Sequence, residues 1–161
     1  MHNRTTHSTL LGLIVAAIAL AAVVASPATV AQEKSKPSIF GTWTGESICV
    51  GPFPACKNET VVYRFLPVDG KPDGAALYGD KIIDGVREPM GKLDVVFDAV
   101  KGTATAEFTV RTTHGVFEFT FDDSRMTGSL FILPERTKGR AIKVHRVSES
   151  DVPPAPPLDQ Y

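Results

Sequence analysis

The chain has 161 residues, with 17 basic and 18 acidic ones, a formal charge of −1 and 43% hydrophobic residues. That length supplies one domain with one core. The two signs of charge are interspersed, with no basic stripe and no acidic block, which argues against nucleic acid and anionic membrane as partners.

Residues 1–31 read as a signal peptide. Arg4 gives the positive start, an unbroken apolar run covers 10–25, and the small residues "SPATVA" follow. The run is shorter than the ~18–20 residues that span a bilayer. Cleavage after Ala31 sends the protein to the periplasm or outside the cell, with no stable membrane insertion afterwards; an uncleaved anchor is the competing reading. Loss of Arg4 with the leader leaves 16 basic and 18 acidic residues, a charge of −2. Residues 32–38 form a short polar leader to the folded part.

Between 39 and 147 apolar and polar residues alternate with period two, and no helical stripe appears. Val61, Tyr63 and Phe65 share one face; so do Leu93, Val95 and Phe97; Ala104, Ala106, Phe108 and Val110; Phe117, Phe119 and Phe121; Met126, Leu130 and Ile132; and Ile142 and Val144. Half-buried antiparallel strands have this pattern. Turn signals divide the run into eight strands near 40–49, 59–67, 74–83, 92–99, 103–112, 115–121, 125–133 and 140–147. Short connections favour an up-and-down closed barrel, which removes exposed edges, over a two-sheet sandwich.

Cys49 and Cys56 are the only cysteines. In an exported chain a disulfide is expected, stabilising by roughly 2–3 kcal/mol through loop closure. No His or carboxylate at ligand spacing supports a metal, and "VGPFPA" between them is turn material rather than a redox helix start. After the last strand, residues 148–161 carry four prolines in the five positions 153–157. This segment is expected to be an extended, disordered tail.

"FGTWTGE" at the first strand resembles the Gly-x-Trp opening of lipocalins and other calycin-type barrels. The resemblance implies that Trp43 closes one end of the barrel and that an Arg from the last strand packs over it. Arg146 shares parity with Ile142 and Val144 and is the candidate; Arg140 has the same parity and is its rival. Avidin-type barrels share the motif, but their biotin site uses several tryptophans, and Trp43 is the only one here.

No catalytic signature appears: there is no GxSxG elbow, no HExxH and no phosphate-cradling glycine loop. His114, in a turn, and His145, on an outer face, read as solvent-facing. Asp80, Asp84, Glu88, Asp122 and Asp123 read as turn and strand-edge residues rather than paired carboxylates or a calcium site. Neither an enzyme nor a cofactor is expected. The barrel interior is then either filled by inward aromatics or just able to hold one small ligand. Ala104, Ala106 and Gly128 are the small inward residues that would leave volume near the middle. The expected lining of a pocket is Trp43, Tyr63, Tyr78, Phe97, Phe108, Phe119 and Arg140, with Tyr63, Tyr78 and Arg140 orienting a guest. The leading functional expectation is an exported module for a small apolar or amphipathic molecule. The alternative is an envelope protein that interacts with, inhibits or supports another protein, with a packed core and no ligand.

Overall fold

The computed structural model describes residues 36–161. Among these, eight antiparallel strands close a barrel in sequence order: β1 Gly41–Cys49, β2 Glu59–Val68, β3 Lys71–Ile83, β4 Val86–Asp98, β5 Thr103–Val110, β6 Thr113–Phe121, β7 Arg125–Leu133 and β8 Thr137–Val147. The first and last strands pair, with Trp43 opposite Arg146, so the sheet has no outer strand left over. The signal-peptide reading of 1–31 lies outside the described residues.

Alternation sets which side chains go inside. Trp43, Val61, Tyr63, Phe65, Leu77, Val95, Phe97, Phe119, Phe121, Met126, Ile142 and Val144 form one buried cluster. Tight connections follow local chemistry. Asp84 and Gly85 both take positive φ, 50° and 80°, as a two-residue hairpin that matches the strand twist requires. Asp98 accepts from the Val100 and Lys101 amides at 2.9 and 3.0 Å, and Asp122 from those of Ser124 and Arg125 at 2.8 and 2.7 Å. These are turns closed by an Asp side chain.

Several strand ends differ from the sequence reading, most of all the start of β4, at Val86 rather than 92, because "VREPM" continues the strand instead of forming a turn; β3 starts at Lys71 rather than 74, and each of the two is 13 residues long. A register shift at Gly79 and Asp80 absorbs Pro89 and the extra residue Met90. A bulge is one of the few places where a sheet accepts proline.

The middle of the barrel is filled rather than hollow. The Phe119 ring covers Gly128 so closely that a Cβ there would stand 2.5 Å from it. Phe119 meets Phe65 edge-on and stacks on Phe117 with centroids 5.8 Å apart, and Phe117 leads to Phe108. Ala104 and Ala106 sit buried in the same cluster.

The Pro-rich segment does pack, which corrects the expectation of a disordered tail. It contains two short 3-10 turns, Glu149–Asp151 and Leu158–Gln160, and lies over the outer face of β1 to β4. Thr42 and Arg87 both bond Glu149, the latter at 2.6 Å; Arg87 also donates to the Pro153 carbonyl at 3.2 Å, and the Tyr161 hydroxyl donates to Asp80. Thr42, Val62, Ala76, Asp80 and Arg87 have outward parity, yet all are buried.

Candidate functional site

The two ends of the barrel differ. At one end the Trp43 indole donates to the Ile39 carbonyl at 2.9 Å, and the Arg146 guanidinium carbon lies 4.2 Å from the ring centroid. Arg146 also donates to the carbonyls of Asp123 (2.8 Å), Phe40 and Ser38. A cation over an aromatic face, with carbonyls replacing its lost water, is a stable arrangement. Gly41 makes room for it: its φ is 119°, and a Cβ there would come within 2.8 Å of Nη1. Phe40 and Phe97 meet edge-on beside this plug. Trp43, Phe97 and Arg146 therefore close this end, away from the cavity at the other.

The opposite end is open. A cavity of about 300 Å³ is lined by Tyr63, Leu77 and Gly79 of β2 and β3, Met90 to Leu93 of β4, Phe108 and Val110 of β5, and Phe117 of β6. Of the residues expected to line a pocket, Tyr63 and Phe108 do so, and Phe119 forms packing beneath them, 6.2 Å from Tyr63. Phe108 is placed by Gly115, where a Cβ would be 2.5 Å from the ring. Gly79 and Gly91 pair across β3 and β4, and neither puts a side chain into the space.

The polar side of this end is organised by Arg140. Its guanidinium donates to Ser47 Oγ at 2.7 Å, the Lys57 carbonyl at 2.7 Å and Glu59 at 2.6 Å, and its Nη1 stands 3.5 Å from Cys56 Sγ. Cys49 and Cys56 are joined, so the bridged loop is tied to the barrel rim through Arg140. With its donors engaged, Arg140 braces the rim and is not among the cavity residues. It also does not serve as the arginine over Trp43. Tyr63 links the two sides: burial pushes its hydroxyl up to about 12, partly countered by a hydrogen bond with Ser47 and by the Arg140 charge.

Tyr78 points outward, away from the cavity. Its ring meets Tyr161 edge-on at 5.0 Å, with Arg64 5.5 Å from its centroid. Asp80 is no strand-edge carboxylate; it accepts two bonds from Arg87, at 2.9 and 2.6 Å, and both side chains are fully buried. Glu149, Asp80, Arg87 and Tyr161 thus form a cluster that sequence reasoning missed. Outward parity of an Asp and an Arg seven residues apart was the only local signal, and their third partner is 62 residues further on.

Among the described residues no group of three or more His, Cys, Asp or Glu side chains could hold a metal ion. His114 is the second residue of β6 rather than a turn residue and stands 3.5 Å from Glu107, half-exposed. Two other hollows lie on the outer wall over β5 to β8 and beside the Trp43 end. A comparison of the chain with family models, with curated proteins and with solved structures finds no match.

Proposed function

We propose that the barrel binds a small apolar or amphipathic molecule in the cavity at its open end, as an exported calycin-type module without catalytic activity. The observation that carries this reading is a space of about 300 Å³ walled by Tyr63, Leu77, Phe108 and Phe117, with the aromatic packing of Phe119 beneath it. That volume is at the lower limit of small-molecule pockets, and apolar walls with one hydroxyl are the usual composition of such sites. The guest's apolar part rests on Phe108 and Phe117, and Tyr63 offers a polar contact. Export to a periplasmic or extracellular compartment is supported by the Cys49–Cys56 bridge, which persists where thiols are oxidised. The calycin-type reading is supported by Gly41, Trp43 and Arg146 acting together at the plugged end.

Native mass spectrometry of the purified protein and displacement of a hydrophobic dye test the reading. Gly79→Leu is the decisive variant. A Cβ at Gly79 meets the Met90 methyl at 3.6 Å, Tyr63 at 3.7 Å and the Gly91 carbonyl at 3.8 Å, all ordinary contacts, so the longer side chain enters the cavity without a backbone clash. Dye affinity should fall tenfold or more while the unfolding midpoint holds. Absence of saturable dye binding by the parent protein sinks the proposal.

A further inference from the structure

The two sulfurs of the Cys49–Cys56 bridge have unlike surroundings. Arg140 Nη1 stands 3.5 Å from Cys56 Sγ, within reach of a hydrogen bond to sulfur, and has no other partner among the described residues. No such donor meets Cys49 Sγ among them; the Cys49 contact runs through its backbone amide, which donates to Asn58 Oδ1 at 2.9 Å. Both cysteines are partly exposed, and Val50 beside Cys49 is 51% exposed. The Arg140 side chain is only 14% exposed, so solvent screens its charge weakly.

The guanidinium is fixed by partners other than the bridge. Its Nε donates to Ser47 Oγ, and its Nη2 to Glu59 and to the Lys57 carbonyl at 2.7 Å. Lys57 follows Cys56 in the chain, so this last bond keeps Cys56 against Nη1 whether the bridge is closed or open. The loop has further ties of its own. The Val50 amide donates to the Gly139 carbonyl at 3.0 Å and the Cys56 amide to the Phe53 carbonyl at 2.9 Å. The Phe53 ring lies over Gly139, where a Cβ would stand 3.3 Å from it. Opening the bridge therefore leaves the loop tied on both sides.

In thiol–disulfide exchange a thiolate attacks one sulfur and expels the other, and the sulfur with the lower thiol pKa leaves faster. A neighbouring guanidinium lowers the pKa of a thiol. We propose that Cys49 is a site of reversible S-thiolation by a small thiol, with Cys56 as the leaving thiolate held by Arg140. The incoming thiolate, its proton already lost to water, bonds to Cys49 Sγ. The Sγ–Sγ bond breaks and its electron pair goes to Cys56 Sγ beside Nη1; no further oxidant or reductant enters. Reversal needs only attack of the Cys56 thiolate on Cys49, which expels the small thiol. Glu59 shares the guanidinium and moderates its effect, and Lys57 adds an exposed cation next to Cys56. In redox pairs at a helix start the helix supplies the positive end; here a side chain of β8 does so. The site lies on the rim and does not depend on what the cavity holds.

The test takes the oxidised full-length chain with millimolar glutathione, quenches with N-ethylmaleimide and locates both adducts by fragment mass spectrometry. Glutathione on Cys49 with maleimide on Cys56 should exceed the reverse isomer by about tenfold or more. Arg140→Gln should bring the two isomers to within about twofold, and Arg140→Lys should keep most of the preference. Loss of bracing alone would speed attack at both sulfurs without choosing between them. Should Arg140→Gln misfold, Glu59→Gln gives the opposite sign: it removes the counter-charge and should sharpen the preference for Cys49. Equal labelling of the two cysteines, glutathione chiefly on Cys56, or no adduct at all overturns the proposal. A preference unchanged by Arg140→Gln overturns it as well.

Discussion

Trp43 and Arg146 are joined by a 4.2 Å cation–π contact and stand opposite each other across the β1 and β8 closure, so their contributions to stability should be coupled. Trp43→Ala removes a fully buried indole and should cost on the order of 3–5 kcal/mol. Arg146→Ala leaves the Phe40, Ser38 and Asp123 carbonyls to find water and should cost about 1–3 kcal/mol. The double variant in urea should depart from additivity by roughly 0.5 kcal/mol or more. Strict additivity would mean that the guanidinium does not brace the indole. At the far rim, Arg140 reaches Cys56 and the Lys57 carbonyl, so the disulfide does not act on its own loop alone. Reducing the bridge should couple with Arg140→Ala and add independently to the Trp43 and Arg146 changes. The same urea cycles read both. The resemblance to calycin-type barrels implied an arginine of the last strand over Trp43, and parity offered Arg146 and Arg140 for that place. Parity could not separate Arg140 from Arg146; that depends on which end of the barrel each reaches.

At the scale of elements, strands were legible wherever one face meets the core and the other meets water. The pattern misled where that contrast disappears. Val86 to Met90 carries a proline and borders a glycine, which mark a turn in an isolated peptide but here lie in a strand that ends in a bulge at Met90. The segment after β8 misled for a different reason. Its composition describes a chain with nothing to pack against, and its anchors are side chains of β1, β3 and β4, distant in sequence. Deleting residues 148–161 should expose Val62 and Ala76 and leave the Asp80 and Arg87 pair in water without Glu149. We expect a loss on the order of 1–3 kcal/mol in urea, with faster amide exchange in β3 and β4 and little change in β6 and β7. A uniform change around the barrel would show that the segment has no preferred seat. The cavity was legible only in part: Tyr63 and Phe108 were named from parity. The filling of the middle by Phe119 over Gly128 depends on strand stagger, which alternation does not report.

For the whole molecule, the perturbed groups define a pH window with different events at its two limits. Burial alone would raise the Glu149 carboxyl, but hydrogen bonds from Thr42 and Arg87 outweigh it and hold the group below its ordinary 4.5. A lowered carboxyl stabilises the fold above 4.5, and that contribution is lost as pH falls through the lowered folded value. Tyr161 is shifted the other way, from 10.0 to about 12, by burial first and then by its bond to Asp80. Its contribution is complete below 10 and is lost as pH rises towards 12. Tyr63, raised to about 12 mainly by burial, has the same sign but sits inside the barrel. Acid should therefore release the C-terminal segment first, and alkali should weaken segment and barrel together. The measurement pairs the Tyr161 ring signals in NMR with Trp43 fluorescence across the pH range. Below about 4.5 the Tyr161 signals should move to solvent-exposed values while Trp43 emission stays that of a buried indole. Above 10 both should change. Tyr161→Phe removes the segment's share of the alkaline transition and keeps the Tyr63 share, because the two hydroxyls ionise in separate places. Loss of both signals at one acid midpoint would mean that the segment and the barrel are a single cooperative unit and that Glu149 is not the group that lets go.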